Sequence, residues 1–294
     1  MKKEKSMRSE TCLTSVTIFA AIVLFGSSYA MAGTWTTFNV PGAMYTEAYG
    51  ISGSNIVGCY SDLGNTHGFL YDGKNYKMLD APGANQTFAN GIEGSNIVGG
   101  YDDNSGRHGF LYDGSNWTSL NAPNATYTYA NGISGNKIVG FYGMPFVTYG
   151  FLYDGSTWTT LSDGSDTEPF GISGSNIVGW SGSGFLYDGS NWTTLNAPGA
   201  TDTFPHGISG NNVVGFYLDA SNGAHGFLYN GSTWTTLDAP GATNTYVYGI
   251  SGNNIVGNYW DAYTYHSHGF VYTIPEPATL FLLTIGGLIL RRRK

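Results

Sequence analysis

The sequence predicts an all-β chain folded as a six-bladed β-propeller of four-stranded blades. A phrase that reads Gly-Ile-Ser-Gly-Ser-Asn-Ile-Val-Gly in its first copy begins at six positions, spaced 41, 41, 39, 36 and 42 residues apart. Between its copies lies a second repeated phrase, His-Gly-Phe-Leu-Tyr followed by Trp-Thr-Thr-Leu or close variants. A period near forty with several strand-like phrases per unit is typical of repeat architectures such as propellers.

Residues 1–32 have the three parts of a secretory signal peptide. Four basic residues precede the mostly apolar run Leu13–Phe25, and Ala30 and Ala32 form an A-x-A site directly before Gly33. We expect cleavage before Gly33. The alternative is an uncleaved membrane anchor.

Each unit from residue 33 to residue 273 contains four short strand candidates, a to d. Strand a surrounds the Gly-Ile-Ser triplet (Thr87–Glu93), and strand b is the Asn-Ile-Val-Gly phrase (Asn55–Tyr60). Strand c is Gly-Phe-Leu-Tyr (Gly68–Tyr71), and strand d is Trp-Thr-Thr-Leu (Trp158–Leu161). Glycine lies in the turns between a and b, and Asp-Gly or Asn-Gly between c and d, as tight antiparallel turns require.

Two features indicate a closed ring of blades. Strands b and c are apolar without polar alternation, which predicts burial on both faces by neighbouring sheets. The first repeat phrase is a lone strand d, Trp35–Phe38, and the last is a strand c, His268–Tyr272, with no strand d after it. Pairing of these two segments would complete a sixth blade and leave no sheet edge open. A linear solenoid would need polar end caps, and the sequence has none.

Residues 274–294 form a tail of three parts. Pro275, Glu276 and Pro277 are followed by the apolar run Ala278–Leu290 and then by four basic residues. As a helix this run spans about 20 Å, against about 30 Å of bilayer hydrocarbon. The tail resembles a PEP-CTERM sorting signal.

That resemblance implies export in a Gram-negative bacterium and transient anchoring in the inner membrane through the C-terminal transmembrane helix. An exosortase-type processing enzyme would then release the protein to the cell surface or the extracellular matrix. The alternative is an ordinary single-span anchor. The repeats resemble HAF-type extracellular repeats, with His-Gly-Phe in place of His-Ala-Phe, a family that carries no assigned chemistry.

Charge and cysteine content narrow the partners. The segment between Gly33 and Pro275 holds four basic residues against seventeen acidic ones, so we expect it to repel nucleic acid and anionic membrane surfaces. Cys12 lies in the leader and Cys59 is alone in the rest of the chain. No internal disulfide can therefore form after processing.

The repeated histidines are the most conspicuous candidates for metal ligands, at His67, His108, His225 and His268. Equivalent positions of a propeller lie one blade apart and cannot converge on one ion, so we interpret these side chains as orienting loops by hydrogen bonding. The Asp of the Tyr-Asp-Gly turns lacks the spacing of a calcium loop. We expect neither a metal nor another cofactor.

Binding residues are expected where the repeats disagree. The residue before the glycine of strand a differs among the units, as Tyr49, Asn90, Asn131, Phe170, His206 and Tyr248. Strand a is innermost in a propeller, so these six could ring the central channel, joined by Glu47 and Glu168. Aromatic and amide groups suit a neutral carbohydrate. The alternative is ordinary variation at a solvated rim. The b–c loops vary most in length, which favours a binding role for their face.

Three functions follow as hypotheses. The first is a non-enzymatic surface or matrix protein that binds exopolysaccharide or envelope glycans. The second is an extracellular carbohydrate lyase or hydrolase, in which His206 with Glu168 or Glu47 would have to form the acid–base pair. The third is a structural filler of the biofilm matrix without a binding site.

Overall fold

The computed structural model describes residues 33–62, 64–264 and 266–275. They form 24 strands in six four-stranded antiparallel sheets. The expected leader and the sorting tail from Glu276 onward lie outside them. The described residues contain no membrane-spanning helix.

The strands follow the predicted a-b-c-d order. The first thirteen are β1 (Thr34–Phe38), β2 (Tyr45–Ser52), β3 (Asn55–Ser61), β4 (Thr66–Tyr71), β5 (Tyr76–Leu79), β6 (Gln86–Glu93), β7 (Asn96–Asp103), β8 (Gly106–Tyr112), β9 (Trp117–Leu120), β10 (Tyr127–Ser134), β11 (Lys137–Met144), β12 (Val147–Tyr153) and β13 (Trp158–Leu161). The others are β14 (Glu168–Ser173), β15 (Asn176–Trp180), β16 (Gly184–Tyr187), β17 (Trp192–Leu195), β18 (Asp202–Ser209), β19 (Asn212–Leu218), β20 (Ala224–Tyr229), β21 (Trp234–Leu237), β22 (Ala242–Ser251), β23 (Asn254–Asp261) and β24 (Ser267–Thr273).

The ring closes as the sequence predicts. Blades 1 to 5 are built from β2 to β21 in sets of four consecutive strands, and blade 6 has the order β1-β24-β23-β22. Thr34 pairs with Thr273 and Phe38 with Gly269. The Trp35 ring lies 4.8 Å from the rings of both Phe270 and Tyr272. The chain is therefore a six-bladed β-propeller.

The core lies between the blades. Ile97 and Val98 are adjacent on β7 and point to opposite faces of blade 2. Ile97 packs in a cluster with Val57 and Leu79 of blade 1, whereas Val98 packs with Phe151 and other residues of blade 3. The same arrangement recurs around the ring, which explains why strand b shows no polar alternation.

The two faces of the disc differ in their connections. The hairpin face carries the a–b hairpins, such as Gly53–Ser54, and the c–d turns. The loop face carries the b–c loops and the d–a connections. In five of the connections on the loop face, a buried threonine of strand a accepts a hydrogen bond from a backbone N–H six residues earlier, as Thr128 Oγ1 does from Ala122 at 3.0 Å.

Six glycines of strand a, one per blade, set the distance between blades at the axis. This glycine collar consists of Gly50, Gly91, Gly132, Gly171, Gly207 and Gly249. A Cβ atom at any of them would lie 2.4–2.9 Å from a carbonyl oxygen of the next blade. For Gly171 that oxygen belongs to His206, at 2.4 Å. Only a residue without a side chain fits at these positions.

We therefore expect Gly171→Ala to destabilise the propeller. The added methyl group meets backbone rather than a flexible side chain, and overpacking of this kind costs about 1–3 kcal/mol. The change is measured by urea or thermal unfolding of the purified protein. Gly64→Ala is the control, because a Cβ there meets no atom within 4 Å. Equal stability of the two variants would contradict the role assigned to the collar.

Candidate functional site

The residue before each collar glycine is a β-bulge. In every blade the pairing of strands a and b skips one residue, for example between Ala48 and Gly50 and between Pro205 and Gly207. The skipped residues form the axial ring: Tyr49, Asn90, Asn131, Phe170, His206 and Tyr248. A bulge re-aims the side chain of its extra residue. The six positions singled out from the sequence are thus six bulge positions around one axis.

The axial ring lines a cavity of about 450 Å³ on the axis. The wall on the hairpin face comes from every blade, through the collar and the residues after it, such as Ile51 and Ser52. Beyond the ring, the described residues that line the cavity are Phe88, Tyr129 and Phe141. The cavity therefore opens on the hairpin face and deepens toward blades 2 and 3.

Aromatic rings narrow the opposite side, at blades 4, 5, 6 and 1. The rings of Phe170 and His206 stack with centroids 4.2 Å apart and an interplanar angle of 11°. Tyr248 meets the His206 ring edge-on at 4.9 Å and the Tyr49 ring at 5.1 Å. The stack continues through Phe216, whose centroid is 5.4 Å from that of His206. These contacts make this side of the ring a packed aromatic wall.

Burial in this aromatic wall shifts the pKa values of its titratable side chains and keeps them neutral. Burial lowers the pKa of His206 to about 3, so the imidazole is neutral at physiological pH. Burial and then the negative charge of Glu47 raise the pKa of Tyr248 well above its usual value. Burial also raises the pKa of Tyr49, whose hydroxyl donates a hydrogen bond to Glu47. The buried thiol of Cys59 lies 3.4 Å from the Tyr49 hydroxyl, and burial raises its pKa too.

The asparagines of blades 2 and 3 present amide groups to the deeper part of the cavity. Asn90 Nδ2 donates to the Ala130 carbonyl oxygen at 3.0 Å and to Asn131 Oδ1 at 3.2 Å. Asn131 Nδ2 donates to the Pro169 carbonyl oxygen at 2.9 Å. Bonds to the next blade thus orient both amides. An amide group has two N–H donors and an oxygen with two lone pairs, so each side chain retains capacity for a ligand.

Three aromatic side chains lie behind the two asparagines and were not singled out from the sequence. Phe88 and Tyr129 lie two residues before the asparagines on the same strands, and the Tyr129 ring is 5.2 Å from that of Phe141. The sequence does contain a signal for Phe88 and Tyr129. Residues two apart on a strand share a face, and each of these aromatic residues lies two before a ring asparagine. Glu93 also lines the cavity and was not singled out.

The sequence analysis groups Glu47 and Glu168 with the axial ring. They lie two residues before Tyr49 and Phe170 on their strands, and they are not among the residues that line the cavity. Burial and the nearby charge of Asp166 raise the pKa of Glu168. Among the described residues, neither carboxylate is hydrogen-bonded to His206, which contacts aromatic rings instead.

No protein-family model matches the sequence, and no curated protein matches it either. Solved structures do resemble the fold. TolB of Acinetobacter baumannii has a TM-score of 0.52 and 16% identity over 75% of this chain and 65% of that one. A proposed TolB of Agrobacterium tumefaciens has a TM-score of 0.53 and 18% identity, over 79% and 90%. The chain thus spans about two thirds of the first of these proteins.

An uncomplexed acylaminoacyl peptidase of Pyrococcus horikoshii has a TM-score of 0.50 and 10% identity, over 83% of this chain and 46% of that one. At such identities these similarities show the fold alone.

The repeated histidines lie on the loop face, each on its own blade. His67 Nδ1 is 2.8 Å from Asp80 of the following connection, and its Nε2 is 3.6 Å from Asp62 of the b–c loop. His225 makes the same two contacts with Asp238 and Asp219. Within the described ranges, no group of three or more His, Cys, Asp or Glu side chains could hold a metal ion. His67 and His225 thus each join two loops of one blade.

The His225 contacts predict a pH-dependent stability. Burial lowers the pKa of His225, but the hydrogen bonds and charges of Asp238 and Asp219 outweigh that effect, and the net pKa is raised. A raised folded-state pKa stabilises the protein below the unfolded value of about 6.5, and this contribution is lost as pH rises through the folded pKa.

Between about pH 5 and pH 6.5, wild type should therefore exceed His225→Gln in free energy of unfolding, and the difference should shrink by pH 9. Urea unfolding of both proteins across this range measures it. A difference that grows with pH would contradict the prediction.

Proposed function

We propose that this chain is an exported, non-enzymatic propeller that binds carbohydrate in its axial cavity. The observation that carries the proposal is the contrast between the glycine collar and the axial ring. The collar has the same residue in all six blades, whereas the adjacent ring position holds tyrosine, asparagine, phenylalanine or histidine. A position that differs among the repeats while it faces a cavity on the axis is the expected place for recognition.

The chemistry of the lining supports a sugar as the ligand. Pyranose rings carry C–H groups that pack on aromatic faces and hydroxyl groups that exchange hydrogen bonds with amides. The cavity pairs the oriented amides of Asn90 and Asn131 with the rings of Phe88, Tyr129 and Phe141. A volume of about 450 Å³ is within the range of small-molecule sites.

The protonation of the ring argues for binding over catalysis. A general base is most effective when its pKa lies near the working pH, and burial holds the pKa of His206 at about 3. The carboxylates of Glu47 and Glu168 are not part of the cavity wall. A propeller also occurs in the acylaminoacyl peptidase named above, but the matched region is less than half of that chain.

Export is the second part of the proposal and rests on the sequence at the two ends. The A-x-A site at Ala30 and Ala32 before Gly33 and the motif of Pro275, Glu276 and Pro277 support a route through the inner membrane. An exosortase-type enzyme is the partner proposed for the tail. The proposed destination is the cell surface or extracellular matrix of a Gram-negative bacterium, with exopolysaccharide or envelope glycans as ligands.

We expect an Asn90→Ala/Asn131→Ala double variant to lose binding on a screen of glycans and exopolysaccharides. Loss of one polar contact to a ligand costs about 1 kcal/mol, so the double variant should bind about tenfold or more weakly. The screen uses the purified protein, and titration calorimetry then measures the affinity for each hit.

The matched control is Asn85→Ala/Asn104→Ala. These two asparagines are also hydrogen-bonded to each other, at 3.3 Å, but they are exposed on the loop face. Binding by wild type and by this control, with loss in the ring variant, would support the axial site. Equal binding by all three proteins would rule out the axial cavity, and absence of binding by wild type would favour the matrix filler.

The sorting proposal predicts that Glu276→Ala retains the protein in the membrane fraction of its host, because the processing enzyme no longer recognises the motif. Cell fractionation with immunoblotting compares it with wild type, which should be released. Asp188→Asn, an exposed change in the propeller, should behave as wild type. Release of Glu276→Ala at the wild-type level would contradict the sorting proposal.

A further inference from the structure

One rim position of the cavity departs from the repeat. The residue two positions after each collar glycine is serine in five blades and glutamate in blade 2. These residues are Ser52, Glu93, Ser134, Ser173, Ser209 and Ser251. They end strand a at the hairpin face, where the cavity opens, and Glu93 is exposed there.

The fold does not require a carboxylate at this position. Ser52 Oγ accepts a hydrogen bond from the Gly94 N–H of the next hairpin at 3.2 Å, and Ser134 does the same with Gly174. The carboxylate of Glu93 accepts the equivalent bond from the Gly135 N–H. A serine hydroxyl thus makes the same contact between hairpins, and the glutamate adds a negative charge to it.

The negative charge of Glu93 has no charged neighbour among the described residues of the cavity wall. Of the described residues that line the cavity, Glu93 is the only one charged at neutral pH, since His206 is neutral. Glu93 belongs to the same strand as Asn90, at the deep side of the cavity. The Glu93 carboxylate therefore lies nearer the opening of the cavity than the amide groups of Asn90 and Asn131 do.

The basic residue of the neighbouring hairpin, Lys137, does not form an ion pair with Glu93. Lys137 pairs in register with Ser134, so both side chains lie on the face of blade 3 that is turned toward blade 4. Glu93 reaches the same hairpin from blade 2. Within the described ranges, no ion pair joins Glu93 and Lys137 within 4.0 Å.

We propose that Glu93 makes the axial cavity selective for glycans that carry a free amino group. This inference rests on the proposed carbohydrate-binding function and specifies its ligand class. An ammonium group at the rim would pair with the carboxylate while the sugar ring occupies the amide and aromatic part of the cavity. A uronic acid in the same place would be repelled.

The expected effect is modest because the rim is solvated. Exposed ion pairs change affinity by about two- to fivefold, and salt screens them. The measurement is titration calorimetry of the purified protein at low ionic strength and at a pH at which the amine is charged. The probes are tetramers of glucosamine, N-acetylglucosamine, glucose and galacturonic acid. Wild type should bind glucosamine most tightly and galacturonic acid least.

Two variants test the residue. Glu93→Ser installs the residue of the other five blades, and Glu93→Gln keeps the size and the hydrogen-bond acceptor. Both should lower the affinity for the glucosamine tetramer about two- to fivefold and change that for the glucose tetramer by less. Asp188→Asn removes the same charge from a residue that does not line the cavity, in the exposed c–d turn of blade 4, and should leave the preference unchanged.

The outcomes separate the two proposals. If wild type binds the glucose and glucosamine tetramers equally and Glu93→Ser changes nothing, the inference is overturned while carbohydrate binding stands. If Asp188→Asn weakens glucosamine binding as much as Glu93→Ser does, overall charge is responsible and the inference is again overturned. If wild type binds no glycan in this set or in the wider screen, both proposals fail.

Discussion

The close approach of six inner strands at the axis is the constraint on which the rest of the propeller depends. Each collar glycine faces a carbonyl oxygen of the next blade at a distance that leaves no room for a side chain. The contact is repeated in every blade and closes on itself from Gly249 to Tyr49, so a larger residue at any one collar position would push two neighbouring blades apart. The inter-blade clusters, with their buried isoleucine, valine and phenylalanine side chains, then pack at the spacing that the collar sets.

The collar also explains why the axial ring can vary. The bulge places the ring side chain toward the axis, while its carbonyl oxygen takes part in the contact with the neighbouring glycine. Backbone and side chain therefore have separate tasks at this position. The backbone maintains the ring of blades, and the side chain is free to be asparagine on one side and an aromatic residue on the other.

Much of the fold could be predicted from the sequence because the same pattern of strand phrases is repeated in six units. The phrases around Asn55–Tyr60 and Gly68–Tyr71 are strands at those positions, and the complementary ends Trp35–Phe38 and His268–Tyr272 pair as expected. That the six ring positions share one axis also follows from the repeat. Their role in binding stays a prediction.

The depth of the cavity could not be predicted, because it depends on how unlike side chains pack across the axis. Phe170 and His206 stack and close one side, whereas Asn90 and Asn131 leave the other side open to Phe88 and Tyr129. The b–c loops vary most in length, yet the cavity opens on the opposite face. Loop length indicates where insertions are tolerated, and it does not report on the residues that strand a turns toward the axis.

The pairing of β1 with β24 also fixes where the described chain enters and leaves the propeller. Thr34 and Thr273 lie side by side at the hairpin face, and the Ile274 N–H donates to the Asn253 carbonyl oxygen in an a–b hairpin. The chain leaves the propeller at Pro275 on the face where the cavity opens. The first and last described strands and the mouth of the cavity therefore share one face of the propeller.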